Sequence, residues 1–391
     1  MKAGWRLVKL GELCKTGAGG TPLKSKKEFY EGGSIPWLLS GEVAQGEILK
    51  ATSFITQKGL ENSSAKLFPP NTVLVAMYGA TAGQVGVLRI EASTNQAVCG
   101  ILPNEHFLPE FLFYYLLSRK DELIAQAAGN AQPNISQQKI RDTLVPVVPL
   151  PEQQRIVAIL DEAFEAIAAA RANAEQNRQN ARALFESYLQ SVFSQRGEGW
   201  EEKDLTEVCE ISSALIDPRK DEYFDMLHVG GANIESKTGC LLNLKTAREE
   251  GLISGKFIFD DTMVLYSKIR PYLMKVVRPD FQGLCSADIY PLSPKRGQAD
   301  RNYLFHLLLS PTFTDYVNSG SARAGMPKVN REHLFAYRCY FPPIEKQIEF
   351  AASLDALHGE TQRLESLYQR KLAALDELKQ SLLQQAFSGN W

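Results

Sequence analysis

The 391-residue chain has six cysteines (Cys14, Cys99, Cys209, Cys240, Cys285 and Cys339), and no two of them form a C-x-x-C pair. Structural zinc needs clustered ligands, so that scatter excludes it and the cysteines read as reduced thiols of a core. No apolar run approaches the roughly 18 residues of a membrane span. The opening Met1-Lys-Ala-Gly-Trp-Arg-Leu-Val-Lys lacks the apolar stretch of a signal peptide, so the expectation is a cytoplasmic protein with no membrane partner. Catalytic patterns are missing as well. Tyr78-Gly-Ala-Thr-Ala-Gly-Gln-Val-Gly86 is glycine-rich but lacks the lysine that reaches a phosphate, which leaves a turn whose backbone approaches a ligand closely. The five histidines (His106, His228, His306, His333, His358) have no metal spacing, and Pro279-Asp280 is not followed by the Glu-x-Lys of a nuclease. No dinucleotide or S-adenosylmethionine loop is present. These absences point to binding rather than catalysis, with no metal and no cofactor in this chain. A strong positive charge is lacking too. The chain carries −2 overall, made of +3 over residues 1–150, −2 over 151–198, −1 over 199–341 and −2 over 342–391. Any nucleic-acid binding must therefore be local and shared with partners.

What the chain does have is a repeat. Leu184, Ser187, Leu189, Gln190, Phe193 and Ser194 return at a constant offset of 194 as Leu378, Ser381, Leu383, Gln384, Phe387 and Ser388. Gln132-Pro-Asn-Ile-Ser136 and Met326-Pro-Lys-Val-Asn330 share that offset. Each is followed by a Glu-x-Gln segment (Glu152, Gln154; Glu345, Gln347) and a Leu-Asp pair (Leu160, Asp161; Leu354, Asp355). Gly4-Trp5 with Leu10, Glu12 and Cys14 answers Gly199-Trp200 with Leu205, Glu207 and Cys209 at offset 195. A period of nearly half the chain is too long for a solenoid and implies two copies of one domain-plus-helix module related by a pseudo-twofold axis. The Gly389-Asn-Trp391 end even resembles the Gly199-Trp200 that opens the second copy.

Residues 1–150 and 199–341 read as α+β domains. Asn71–Tyr78 and Asp261–Tyr266 are strand-like, and Pro109–Ser118 and Asn302–Ser310 are short amphipathic helices. Residues 151–198 and 342–391 read as long helices. In the first, proline sits at the first turn and no Gly or Pro follows until Gly197. Its length is on the order of 65 Å at ~1.5 Å per residue. In steps of three and four the second helix offers Leu354, Leu357, Thr361, Leu364, Tyr368, Lys371, Leu375, Leu378, Leu382 and Gln385. The first offers Leu160, Ala163, Ile167, Ala170, Ala174, Asn177, Ala181, Leu184, Tyr188 and Ser191. Large side chains face small ones, which suits an intramolecular antiparallel coiled coil with the domains at opposite ends. The second helix shows one residue more between its Gln347 and Leu354 than the first does between Gln154 and Leu160, which predicts a local break in the symmetry.

Two basic clusters are candidates for DNA contact. Lys24, Lys26 and Lys27 follow small and turn residues, and Arg219 and Lys220 hold the corresponding place in the second copy. Lys268, Arg270, Tyr272 and Lys275 lie near a strand end, where an arginine can read guanine bidentately; the first copy has Tyr78 through Gln84 there. Lys328 and Arg331, in the repeated Pro-x-x-x segment, complete the set.

With the Leu-Pro-Glu-Gln-Gln-Arg-Ile-Val opening at Leu150, the repeated Leu-x-x-Ser-x-Leu-Gln-x-x-Phe-Ser closing and the Gly-Trp starts, the chain resembles the specificity (S) subunit of type I restriction-modification systems along nearly its whole length. The resemblance implies two target recognition domains, each reading half of a bipartite DNA sequence, held apart by paired helices. It implies double-stranded DNA, two modification (methyltransferase) subunits and two restriction (helicase-nuclease) subunits as partners. S-adenosylmethionine, ATP and Mg would be carried by those partners, and the target adenine would be flipped into the modification subunit. The unlike loops of the two copies predict an asymmetric target. The rival reading is a non-catalytic coiled-coil scaffold whose globular domains bind protein.

Overall fold

The computed structural model describes residues 5–125, 134–211, 214–320 and 327–388. Gly4, Gln132, Pro133, Met326 and Gly389-Asn-Trp391, invoked in the repeat, lie outside the described residues. The chain divides into two compact units, Met1–Asn173 with Lys371–Trp391, and Ala174–Arg370. Four helices position the rest: α1 (Pro109–Ser118), α2 (Leu150–Ser194), α3 (Arg301–Leu308) and α4 (Ile344–Ser388). α2 and α4 each give one half to each unit.

The first unit is built on an antiparallel ribbon, Arg6–Lys9 against Leu144–Val147. Beside it lies a sheet ordered Thr16–Ala18, Val98–Ile101, Val73–Ala76, Val85–Leu88, Glu47–Ile48. The second unit repeats the ribbon as Glu201–Asp204 against Arg338–Phe341 and the sheet as Cys209–Glu210, Ile289–Pro294, Val264–Ser267, Val276–Val277. Each unit also has a second sheet containing one parallel pair, with Trp37 opposite Ser93 in the first and His228 opposite Leu284 in the second. Val73–Ala76 and Val264–Ser267 are apolar runs buried on both faces, which is why they read as strands without alternation.

Within each unit the long helices run antiparallel. In the first, Arg171 of α2 bonds Asp376 of α4, and the Lys379 ammonium lies 4.9 Å over the Phe164 ring. In the second, Arg182 bonds Glu365, and the Phe185 ring stacks on His358 at 4.8 Å. The repeated closing motif is the anchor of each core. Phe387 meets Phe111 and Tyr115 of α1 edge-on at 5.4 and 5.2 Å, and Phe193 packs on Tyr303 of α3 at 5.1 Å. The Leu-Asp pair does the same work from the helix start. Leu160 and Leu354 are fully buried, Asp161 accepts from the Tyr114 hydroxyl at 2.5 Å, and Asp355 takes the Arg278 guanidinium and the buried His306 ring.

Three expectations are corrected. Gln154 is exposed, and the partner of Gln347 is Gln153. Gln153 Oε1 accepts from the Leu108 N–H at 2.9 Å, while its Nε2 donates to the carbonyls of His106 and Val148, both at 2.8 Å. Gln347 Oε1 accepts from the Asp300 N–H at 2.9 Å, and its Nε2 donates to Gln298 and Pro342 at 3.1 and 2.9 Å. This pairing restores the offset of 194, so there is no extra residue before Leu354. The coiled-coil seam also differs. Leu184 and Leu378 are 61% and 46% exposed, and Asn177, Ser191, Lys371 and Gln385 are exposed too, whereas Phe185, Val192 and Ala386 are buried. Finally, the thiols are free but not all in the core, because Cys240 lies exposed in a loop and Cys339 is half-buried. Burial pushes the Cys14 thiol up to about 11 and those of Cys99 and Cys209 up to about 12.

Candidate nucleic-acid interface

In each unit the central hairpin ends in a loop of the same design. The first joins Val73–Ala76 to Val85–Leu88; the second joins Val264–Ser267 to Val276–Val277. Three hydrogen bonds set the correspondence. Ala76 N–H donates to Gln84 O as Ser267 N–H does to Lys275 O, at 2.9 and 3.0 Å. Ala82 N–H donates to Gly79 O as Leu273 N–H does to Arg270 O, at 3.1 and 2.9 Å. Across the loop, Ile135 N–H donates to Met77 O as Val329 N–H does to Lys268 O, at 2.8 and 2.9 Å. Isolated bridges, Tyr78 with Asn134 and Ile269 with Lys328, fall at the same register. The offset here is therefore 191, and the counterpart of Tyr78 is Ile269, while that of Tyr272 is Thr81. The backbone agrees: Gly79 and Gly83 have φ of 69° and 79°, and Arg270 and Met274 at the matching positions have 50° and 49°.

The second loop brings two of the predicted cations, Lys268 and Lys328, to one carboxylate. Asp288 lies 3.5 Å from the Lys268 ammonium and 3.6 Å from that of Lys328. Lys268 is largely buried, donates to Ala287 O at 2.5 Å and sits 5.2 Å over the Tyr290 ring. Burial, then the nearby Lys328 charge, lowers its pKa from the ordinary lysine value, with Asp288 opposing. Lys275 donates to Gly231 O at 2.5 Å, and Arg331 reaches Ile211 O at 3.4 Å. Arg270 and Tyr272 are exposed, and the Arg270 side chain has no protein partner among the described residues. Asp288, which orders this cluster, was not singled out in the sequence because an acid among bases has no periodicity to mark it.

The other basic cluster lies on different segments of the chain. Lys24, Lys26 and Lys27 are exposed between the strand Thr16–Ala18 and a short 3-10 turn, Lys27–Phe29. Lys26 lies 5.2 Å over Phe29, and Lys27 is 3.8 Å from Glu31. The loop is shaped by Trp37, whose Nε1–H donates to Gly20 O at 3.0 Å, and by the Tyr30 hydroxyl, which donates to Pro22 O at 2.5 Å. In the second unit Ser212 and Ser213 lie outside the described residues, and Arg219 forks onto Asp217 at 2.7 and 2.9 Å. That hydrogen bonding holds the exposed Asp217 carboxyl down at about 2. Lys220 is exposed beside it. Tyr78 is 38% exposed on the first loop, next to Gly79. An exposed cation and aromatic ring on a hairpin tip can touch base edges, while lysines on flanking turns suit phosphates.

Comparison with known proteins bears on the whole chain. The model of the type I restriction modification DNA specificity domain matches twice, over residues 2–176 and 197–371. The type I restriction enzyme EcoDI specificity subunit of Escherichia coli is 29% identical over 314 residues, covering 72% of this chain and 69% of that protein. The EcoR124I/EcoR124II specificity subunit of the same organism is 32% identical over 158 residues, 39% of each chain. Among solved structures, a chain from a study of complex assembly and conformational transition of the type I R-M system has a TM-score of 0.78 at 20% identity, covering 99% of this chain and 98% of that one. The HsdS subunit from Thermoanaerobacter tengcongensis has a TM-score of 0.62 at 20% identity, covering 100% and 98%. The fold is shared with both. Among the described residues no group of histidines, cysteines and carboxylates could hold a metal, and no helix is long and apolar enough to cross a membrane.

Proposed function

The chain belongs to the type I restriction-modification DNA specificity family, and on that premise we propose that its two hairpin loops each read one half of an asymmetric, bipartite DNA target. The observation that carries this reading is the pair of loops: one backbone frame occurs twice, dressed with Tyr78, Gly79 and Thr81 in one unit and Ile269, Arg270 and Tyr272 in the other. Two unlike readers on one frame suit two unlike half-sites. Lys24, Lys26, Lys27, Arg219, Lys220, Lys328 and Arg331 are assigned to the phosphate backbone, and Lys268 and Lys275, tied to carbonyls, to the shape of the loop. The antiparallel pairing of α2 and α4 sets the spacing of the half-sites.

The chain is non-catalytic in this reading. It docks two modification subunits, which bring S-adenosylmethionine and methylate adenine, and two restriction subunits, which bring ATP and Mg, in the cytoplasm. Selection of a random-sequence duplex library by the chain, with and without its methyltransferase subunits, tests it. A split motif with unlike halves is expected. A palindromic motif would remove the asymmetry, and no enrichment at all would favour a scaffold that binds protein through its globular domains.

A further inference from the structure

A non-glycine residue in the left-handed region is uncommon and strained, and it persists only where its surroundings over-determine it. The loop Ser267–Lys275 holds two, Arg270 and Met274, at the places where the first unit has Gly79 and Gly83. Met274 is explained by packing, since its side chain lies against the core of the second unit. Arg270 is not. Its backbone is pinned by its own N–H, which donates to Pro327 O at 2.8 Å, and by the turn bond from Leu273 N–H at 2.9 Å. Its side chain contributes nothing to that pinning. Lys268, Lys275, Lys328, Arg219 and Arg331 are each engaged by a carboxylate or a carbonyl, whereas the Arg270 guanidinium is exposed and unpartnered among the described residues. A strained arginine that does nothing for its own loop is placed for something outside the chain. At the same point the first unit presents bare backbone.

We propose that position 270, with its counterpart 79, is the determinant that makes the two half-sites unlike: Arg270 reads a guanine through its paired N–H groups, and Gly79 leaves the matching base of the other half unread from that position. A guanidinium fork matches the O6 and N7 acceptors that guanine alone presents together in the major groove. The side chain at this position is a removable and transferable module, because the frame that carries it is the same in both units. This assignment rests on the DNA-reading function proposed above.

The test is library selection by the full chain with its methyltransferase subunits, for the wild type, Arg270→Gly, Arg270→Lys and Gly79→Arg. The wild type is expected to require a guanine in one half. Arg270→Gly should lose about 10- to 100-fold of that preference and leave the other half untouched. Arg270→Lys should keep binding and lose most of the preference, since an ammonium cannot fork. Gly79→Arg should bring a new guanine preference to the first half. Because glycine suits φ of 50°, Arg270→Gly folds at least as well as the wild type, and an unchanged or raised melting temperature separates lost reading from lost structure. Unchanged motifs in Arg270→Gly, or equal weakening on every sequence, would overturn the assignment while a split wild-type motif left the DNA-reading function standing. A wild-type protein that selects no split motif would remove both.

Discussion

A primary amide can accept one hydrogen bond and donate two, which no carboxylate or apolar side chain of its size can do. Gln153 and Gln347 each use all three, two to the backbone just before the domain helix α1 or α3 and one to the carbonyl of Val148 or Pro342 just before their own long helix. The cost of losing them is set by the backbone groups left behind, since a buried group without a partner costs about 1–3 kcal/mol. Gln347→Leu should therefore destabilise the second unit by about 2–4 kcal/mol, and Gln347→Glu should not rescue it, because a carboxylate would face two carbonyl oxygens. Urea unfolding of both variants checks this; a change under about 0.5 kcal/mol for either would remove the clamp. The clamp was only half legible in the sequence. Gln153 and Gln154 are adjacent and chemically identical, so nothing but burial tells which of them answers Gln347. Left-handed backbone was legible at Gly79 and Gly83, where glycine advertises it, and invisible at Arg270 and Met274.

Helix ends were readable because proline and glycine punctuate them: the expected span from Leu150 to just before Gly197 is Leu150–Ser194, and Pro109–Ser118 is a helix over that range. In α2 the seam was readable over about its first three heptads, through the buried Leu160, Ile167, Ala174 and Ala181. Strict steps of three and four assume 3.5 residues per turn, while a straight helix has 3.6 and falls behind by about 20° per heptad. After three to four heptads the lag approaches the angle between adjacent residues, and the buried face moves on by one. That is why Leu184 gives way to Phe185 in α2, and Gln385 to Ala386 in α4. Phe185→Ala should cost about 3–5 kcal/mol, as expected for truncating a buried ring. Leu184→Ala should stay within about 0.5 kcal/mol. Thermal denaturation of the pair decides, and equal losses would mean that the strict heptad describes the packing after all.

Acid should act on the two units unequally, because four of the five histidines lie in the second. Burial lowers the pKa of His306 and of His228, against the pull of Asp355 and Glu250 respectively. Burial, helped by the Arg278 charge, brings His358 down to about 4. All three are therefore neutral when folded, and the unfolded chain takes up their protons first as pH drops through about 6.5. The stability they support is complete above that value and declines below it, by about 1–2 kcal/mol at pH 5 for His358 alone. Hydrogen exchange at pH 7 and pH 5 should show the second unit opening first, and His358→Gln should reduce the difference; uniform opening would contradict the assignment. The two-module plan was legible from the repeat, but the make-up of each module was not. The first unit takes Leu383, Ala386 and Phe387 into the same core as Leu10, Phe111 and Tyr115, whereas the second is one unbroken stretch, Ala174–Arg370. A ribosome delivers residues in order, and domains ordinarily fold as they emerge, earliest first. Here the order is reversed. Residues 174–370 are all made before Leu383, Ala386 and Phe387, so the lobe begun earlier is completed after the one that follows it.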